Sequence, residues 1–270
     1  MCRQAGLIMG ARRRRAPERE VLLDLFTEML VASEHGGPHA TGVAVLDTDG
    51  GSVIAKSPGR ASDFVGSAGF LDAITRFGNR TTLLMGHTRW RTRGTEFDNR
   101  NNHPIRAGDV IGTHNGTILN ADELFRLHRL PRHAEVDSEL LFRLADQSCR
   151  DGAVRPDAFR RLLARCRGQM SAILASRRDP GTVFALKGNR PLAFRCSQRL
   201  QVVAYATDAR VLDTAIATAC GAVDEDWQTM CVGPMTMLLF RREAVLSPEA
   251  LPFRFVPQAM HTIVPQGVDE

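Results

Sequence analysis

Apolar and polar positions alternate in period along this chain, and the period changes from segment to segment. Close behind Met1-Cys2-Arg3, Leu7-Ile8-Met9 reads as the start of a buried strand that holds the N-terminal end in place. Pro17 and Glu18 then open a helix in which Val21, Leu22, Leu25, Phe26, Met29 and Leu30 recur at helical spacing, and it stops near Gly36-Gly37-Pro38. Strands are predicted over Thr41–Asp47 and Ser52–Lys56, joined as a hairpin by the turn signal Asp47-Thr48-Asp49-Gly50-Gly51. A helix around Phe70–Phe77 leads to an apolar strand over Thr82–Gly86. A polar loop follows from Thr88 to Pro104, a length that usually marks a functional or disordered segment.

Further on, Asp109–Thr113 and Thr117–Leu119 read as strands flanking His114-Asn115-Gly116. Helices are predicted at Ala121–His128, Ser138–Cys149 and Asp157–Arg165, the first opened by Asn120 with Glu123 in a capping-box arrangement. The last third alternates again, with strands at Met170–Ala175, Thr182–Leu186 and Gln201–Tyr205, a helix at Asp208–Thr218 and a strand at Pro234–Phe240. Strands clustered towards both ends with helices between and after them predict an α+β domain of two stacked sheets flanked by helices. It spans residues 1–250, and Leu251–Glu270 reads as an irregular tail.

Composition narrows the class. A hydrophobic content of 43% and a charged content of 24%, with Pro and Gly scattered, describe an ordinary soluble globular chain whose 270 residues can bury a sizeable core. No apolar run is long enough to span a bilayer. The short stretch Ala5–Met9 is followed by the basic run Arg12–Arg15 rather than preceded by it, unlike a secretory signal, so a cytoplasmic address is expected. The 6 cysteines are widely spaced, without Cys-x-x-Cys, and are read as reduced and metal-free. The net charge of +5 rests on arginine, since Lys56 and Lys187 are the only lysines. Arg12–Arg15 is short, lacks interleaved aromatics and meets Pro17, Glu18 and Glu20 at once, so it reads as a solvated loop rather than a nucleic-acid site.

The candidate chemistry begins at Cys2. Removal of Met1 would put a thiol and a free α-amine on one residue, and with ordinary pKa values of about 8.5 and 7.7–8.0 one can take the other's proton at little cost. Arg89, in Gly86-His87-Thr88-Arg89-Trp90-Arg91-Thr92-Arg93-Gly94, is either a guanidinium that forks onto a carboxylate or a salt-bridged loop residue. His114-Asn115-Gly116 is either a type I′ hairpin turn or a pair of donors, side-chain amide and backbone N–H, aimed at one oxyanion. His103, in Asn101-Asn102-His103-Pro104, reads as structural. Asp137, before an apolar helical run, is either an N-cap or the anion for a substrate ammonium.

In their order and spacing these residues resemble the glutaminase domain of the class II glutamine amidotransferases, N-terminal-nucleophile hydrolases, and most closely its glucosamine-phosphate synthase type. The family pattern is an N-terminal Cys, Arg-Gly-x-Asp-x-x-Gly, Gly-His-Thr-Arg-Trp-x-Thr-His-Gly, Asn-x-His-Pro, His-Asn-Gly, and Asp-Thr/Ser-Glu before a helix. All but the second recur here, over nearly the whole chain.

The resemblance implies a four-layer αββα sandwich, no cofactor and no metal, with glutamine as substrate. Cys2 would attack the side-chain amide with its own α-amine as base, and Asn115 and Gly116 would hold the oxyanion. Arg89 and Thr92 would take the α-carboxylate, Asp137 the α-ammonium, and the Trp90 loop would close over the substrate. Arg93, His103 and His114 are candidates for support. Two departures stand out: Gly36-Gly37-Pro38-His39 replaces Arg-Gly-x-Asp, and Arg93 replaces a His. The chain leaves no room for a synthase domain, so the expected partner is a separate ammonia-accepting protein or an oligomeric assembly. The alternative is a non-catalytic structural or interaction module of the same fold, for example in a phage particle, where the address would be the virion.

Overall fold

The computed structural model describes residues 2–221 and 226–258. In chain order the first half runs β1 (Arg3–Met9), α1 (Ala16–Ala32), β2 (Ala40–Asp47), β3 (Ser52–Pro58), α2 (Ala61–Phe64), α3 (Ala68–Thr75), β4 (Thr81–Arg89), β5 (Ile105–Ala107) and β6 (Val110–Ile118). Then come α4 (Ala121–Leu127), α5 (Glu139–Gln147), β7 (Cys149–Arg150), β8 (Ala153–Val154), α6 (Pro156–Leu163), β9 (Arg167–Ser176) and β10 (Asp179–Lys187). The remainder is β11 (Ala193–Ser197), β12 (Val202–Ala206), α7 (Ala209–Cys220), β13 (Trp227–Thr229), β14 (Thr236–Arg241), β15 (Glu249–Pro252) and β16 (Val256–Pro257).

Two large sheets form, one ordered β13-β11-β12-β1-β4-β2-β3 and the other β15-β14-β10-β9-β6-β5, with β16 added beside β9, while β7 and β8 pair as a small sheet of their own. Period-2 alternation sorts their side chains into layers. Ala5, Leu7 and Met9 of β1 and Val43 and Val45 of β2 face α1, α3 and α7, packing on Leu22, Leu25, Phe26, Met29 and Leu30. Ile8, Ala44, Leu46, Leu83 and Met85 turn the other way and meet Ile111, Ile173, Ala175, Val183 and Phe240 of the second sheet. The outer face of that sheet, with Ala172 and Leu174, is covered by α4, α5 and α6 through Leu124, Leu141, Phe142 and Phe159. The result is the expected αββα sandwich. Each fully buried Leu- or Phe-sized side chain contributes roughly 1.5–3 kcal/mol, and truncating one such as Leu25 to Ala would cost about 2–5 kcal/mol. Among the described residues no helix is long and apolar enough to cross a membrane.

Several local expectations give way to tertiary pairing. No hairpin turns at His114-Asn115-Gly116: β6 runs straight through, paired with β9 from Val110↔Ser176 to Ile118↔Gly168. The turn lies upstream, at Gly108 and Asp109 between β5 and β6. β4 continues to Arg89 because β1 and β2 pair with it on both sides, so Arg89 ends a strand rather than beginning a loop.

Asn120 does not cap α4. Its side chain instead accepts from Arg167 N at 2.8 Å and donates to Arg165 O at 3.0 Å, tying the helix start to β9. Arg12–Arg15 is not a solvated loop throughout. Arg14 is 2% exposed, with its guanidinium donating to the carbonyls of Gly10, Arg12, Leu200 and Gln201, while Arg12 pairs with Glu18 at 2.7 Å. Residues from Leu251 onwards are not irregular up to 258: β15 pairs with β14, β16 with β9, and Phe253 and Phe255 enter the core. The rest of the expected tail lies outside the described residues.

Candidate active site

The two sheets meet edge-on to the chemistry where β1 of one faces β6 and β9 of the other. Gln4, the one amide in the apolar run of β1, fixes that junction. Its Oε1 accepts from Thr113 Oγ1 at 2.8 Å, and its Nε2 donates to both the carbonyl and the hydroxyl of Ser171 at 3.0 Å. Its backbone N–H donates to Thr207 Oγ1 at 2.9 Å, and Asn115 Nδ2 approaches the same hydroxyl at 3.5 Å. Cys2, two residues before Gln4, is thereby set against Asn115 although their strands belong to different sheets.

A cavity of about 130 Å³ opens there, lined by Cys2, Trp90, Thr92, Asn115, Gly116, Thr117, Gln169 and Arg190. It suits an amino-acid-sized ligand, well below the roughly 300–1,000 Å³ of drug-sized pockets. Gly116 is required where it stands. Its φ is 151°, and a Cβ would lie 2.1 Å from the carbonyl oxygen of Gln169, so any side chain would push β6 off β9.

Cys2 is half-buried, and its sulfur lies between the backbone groups of Trp90. Desolvation pushes the thiol above its ordinary range. The Trp90 N–H, which donates to the sulfur at 3.2 Å, and the Arg89 cation oppose that rise, while the Asp137 charge adds to it. The loop carrying Trp90 and Thr92 is braced from two sides. Arg89, itself buried, donates to Asn102 Oδ1 at 2.8 Å and to the carbonyls of Arg93 and Gly94. His39 accepts from Arg91 N at 3.0 Å and meets the Trp90 ring edge-on at 5.3 Å. The Gly36–His39 stretch therefore serves the loop even without the family's Arg and Asp.

The other candidates lie behind the wall. Asp137 is not an N-cap; its carboxylate accepts from Ile118 N at the end of β6. His114 bridges Ser138 Oγ at 2.9 Å and Gln169 O at 3.2 Å, holding the floor on which Asn115 and Gly116 sit. His103 stacks on His87 at 4.2 Å, and burial lowers all three imidazoles, His87 to about 3. They are neutral at pH 7. Arg93 points away, paired with Asp122 at 3.1 Å. Thus Cys2, Trp90, Thr92, Asn115 and Gly116 share one cavity, while Arg89, Asp137, Arg93, His103 and His114 do not line it. Gln4, Thr207, Gln169 and Arg190 escape the sequence reading. A polar residue inside apolar β1 was the available signal for Gln4, and a cation in the turn Gly188-Asn189-Arg190-Pro191 was the signal for Arg190. Among the described residues no group of His, Cys, Asp or Glu is arranged to hold a metal ion.

Cys2, set at a cavity between two antiparallel sheets that helices cover on both sides, lies in an αββα sandwich of the N-terminal-nucleophile hydrolase fold. No family model matches the chain. In sequence it is 29% identical over 184 residues to a glutamine--fructose-6-phosphate aminotransferase [isomerizing] of Mycolicibacterium smegmatis, a match covering 65% of this chain and 28% of that protein. It is 29% identical over 219 residues to the protein of the same name in Pyrococcus horikoshii, covering 77% and 35%. In structure it matches the glutamine phosphoribosylpyrophosphate amidotransferase of B. subtilis with a TM-score of 0.64 at 17% identity, over 93% of this chain and 49% of that one. The chain therefore spans well under half the length of these curated relatives. It is thus similar in sequence to these aminotransferases and shares the fold of the amidotransferase structure.

Proposed function

We propose that this chain hydrolyses the side-chain amide of glutamine to glutamate and ammonia through a thioester on Cys2, once Met1 has been removed. The observation that carries this is the shared cavity of Cys2, Asn115 and Gly116. The freed α-amine takes the thiol proton, and the thiolate forms a bond to the amide carbon. The Asn115 amide and the Gly116 N–H receive the charge that develops on the oxygen, where loss of one donor typically costs about 2.7–4 kcal/mol of barrier. Collapse breaks the C–N bond, and the leaving nitrogen takes the proton held by the amine and departs as ammonia. Water, deprotonated by the same amine, then cleaves the thioester and releases glutamate.

Trp90 and Thr92 form the outer wall, and their loop closes over the substrate. Arg89 positions that loop, and Asp137 fixes the end of β6 while presenting the negative charge expected to attract the substrate ammonium. The ammonia passes on to an acceptor. A reducing, cytoplasmic address fits the 6 free cysteines.

The test is the intact mass of the purified protein before and after exposure to a diazo-ketone analogue of glutamine, with peptide mapping. Loss of Met1 and a single adduct on Cys2 is the expected result. Retained Met1 with unmodified Cys2 would overturn the catalytic reading and leave an interaction module of the same fold.

A further inference from the structure

Lys56 reaches across β2 to the loop that carries Trp90. It lies on β3 opposite Gly42 of β2, and Gly42 makes the crossing possible: a Cβ there would stand 2.8 Å from Lys56 Cγ and 2.2 Å from the carbonyl oxygen of His103. Lys56 Nζ donates to Asn102 O at 2.8 Å, and the return bond runs from Asn99 Nδ2 to Lys56 O at 3.1 Å. Asn102 passes the hold onward. Its Oδ1 accepts from Arg89 at 2.8 Å, and its Nδ2 donates to Glu96 O at 2.7 Å and to Asn99 Oδ1 at 2.9 Å. Arg89 in turn donates to the carbonyls of Arg93 and Gly94, just beyond Trp90 and Thr92. A continuous run of hydrogen bonds therefore joins the Lys56 amine to the loop whose Trp90 N–H touches the Cys2 sulfur at 3.2 Å.

The charge on this amine makes the hold strong, since a charge-assisted hydrogen bond is about twice as strong as a neutral one. It can also be removed. Lys56 is half-buried, and desolvation pushes its amine down to about 8, opposed by the Asp98 carboxylate on the loop. Asp98 itself is paired with Arg100 at 2.7 Å. Of the other groups around the amine, His103 is kept neutral by burial and Arg89 lies on the far side of Asn102. Asp72 of α3 lines, with Lys56, an open cavity of about 590 Å³ beside β3. The ammonium is thus present at pH 7 and largely gone by pH 9.5.

We infer that Lys56 is a positioning residue for the reaction at Cys2: its ammonium, bound to the Asn102 carbonyl, holds Arg89 and the Trp90 loop in the arrangement that closes over the substrate. The assignment rests on the glutaminase reading above. Lys56 does not line the cavity beside Cys2 and acts only through the loop.

The experiment measures KM and kcat for glutamine from pH 7 to 9.5 in wild type, Lys56→Met and Lys56→Arg. At pH 7 the KM of Lys56→Met is expected to exceed that of wild type roughly three- to tenfold, with kcat within about twofold, as for loss of one charge-assisted bond that favours substrate binding. That ratio should shrink to within about twofold at pH 9.5, where wild type has lost the ammonium too. Titration of the substrate and of Cys2 affects all three proteins alike and cancels in the ratio. Lys56→Arg keeps its charge throughout, so its KM should match wild type at pH 7 and lie below it at pH 9.5. A wild-type KM for Lys56→Met at pH 7, or a raised KM whose ratio to wild type is the same at both pH values, would overturn this inference alone. If Lys56→Met fails to fold, identical pH profiles of wild type and Lys56→Arg would do so. No turnover by wild type, together with no adduct on Cys2, would remove the glutaminase reading and this inference with it.

Discussion

The backbone of Trp90 holds the Cys2 sulfur from both directions, its N–H donating at 3.2 Å while its carbonyl accepts from the thiol at 3.4 Å. The N–H favours the thiolate, whereas the carbonyl contact is available only to the protonated thiol. Because desolvation is the larger influence, the thiol sits above its usual range. Only the thiolate is nucleophilic, so the rate of Cys2 alkylation by iodoacetamide should climb with pH and reach its midpoint above about 8.5. The measurement is peptide-resolved alkylation from pH 6 to 10. A midpoint at or below pH 7 would contradict the account.

Asn115 is buried, and among the described residues its side-chain amide has no closer partner than Thr207 at 3.5 Å, leaving it available to the cavity. Asn115→Ala should lower kcat about 10²- to 10³-fold with a smaller change in KM, because the oxyanion develops after substrate binds. Steady-state ammonia release reads both constants. An unchanged kcat would remove Asn115 from the oxyanion role.

Acid should destabilise the fold before most carboxylates titrate. His87, His103 and His114 have depressed pKa values in the folded chain, His87 at about 3, chiefly because burial opposes their charged form. The unfolded chain binds these protons near pH 6.5 and the folded chain does not. Their contribution is thus fully present above pH 6.5 and is lost as pH falls towards the folded values, at up to roughly 1.4 kcal/mol per pH unit for each imidazole. Urea denaturation at pH 7.5, 6.0 and 5.0 should show stability falling over that window. A flat profile would mean that the imidazoles are solvated or charged in the native state.

Arg14 fastens the segment after β1 to the Leu200–Gln201 backbone, with bonds of 3.0 Å to Leu200 O and 2.7 Å to Gln201 O. Arg14→Ala would remove the side-chain donor from the carbonyls of Gly10, Arg12, Leu200 and Gln201, at about 1–3 kcal/mol for each buried group left unpartnered. Arg13 is exposed, and Arg13→Ala should fall within about 0.5 kcal/mol of wild type. Comparing the two denaturation midpoints tests the assignment; equal stability of both variants would contradict it.

By itself the sequence determined the amphipathic helix α1, the β2–β3 hairpin and the apolar cores of the longer strands, because the period of burial is written in local side-chain order. It also determined which chemical groups are present, from Cys2 through Asn115-Gly116 to Asp137, since a motif keeps its order whatever its surroundings. Edge strands such as β13 and β16 were not legible, being too short to show a period. Asn115-Gly116 looked locally like a hairpin turn and became the middle of β6, because pairing with β9 along the whole strand outweighs a dipeptide's turn preference. Arg89 looked like a loop cation and became a buried brace, since two neighbouring strands extend β4 to reach it. Only the tertiary structure could bring Gln4 to Thr113 and Ser171, or Arg190 to the cavity of Cys2. Those groups meet across two sheets and 109 to 188 positions of chain in between, where no local pattern carries information and the partner of each polar atom is set by which strands stack.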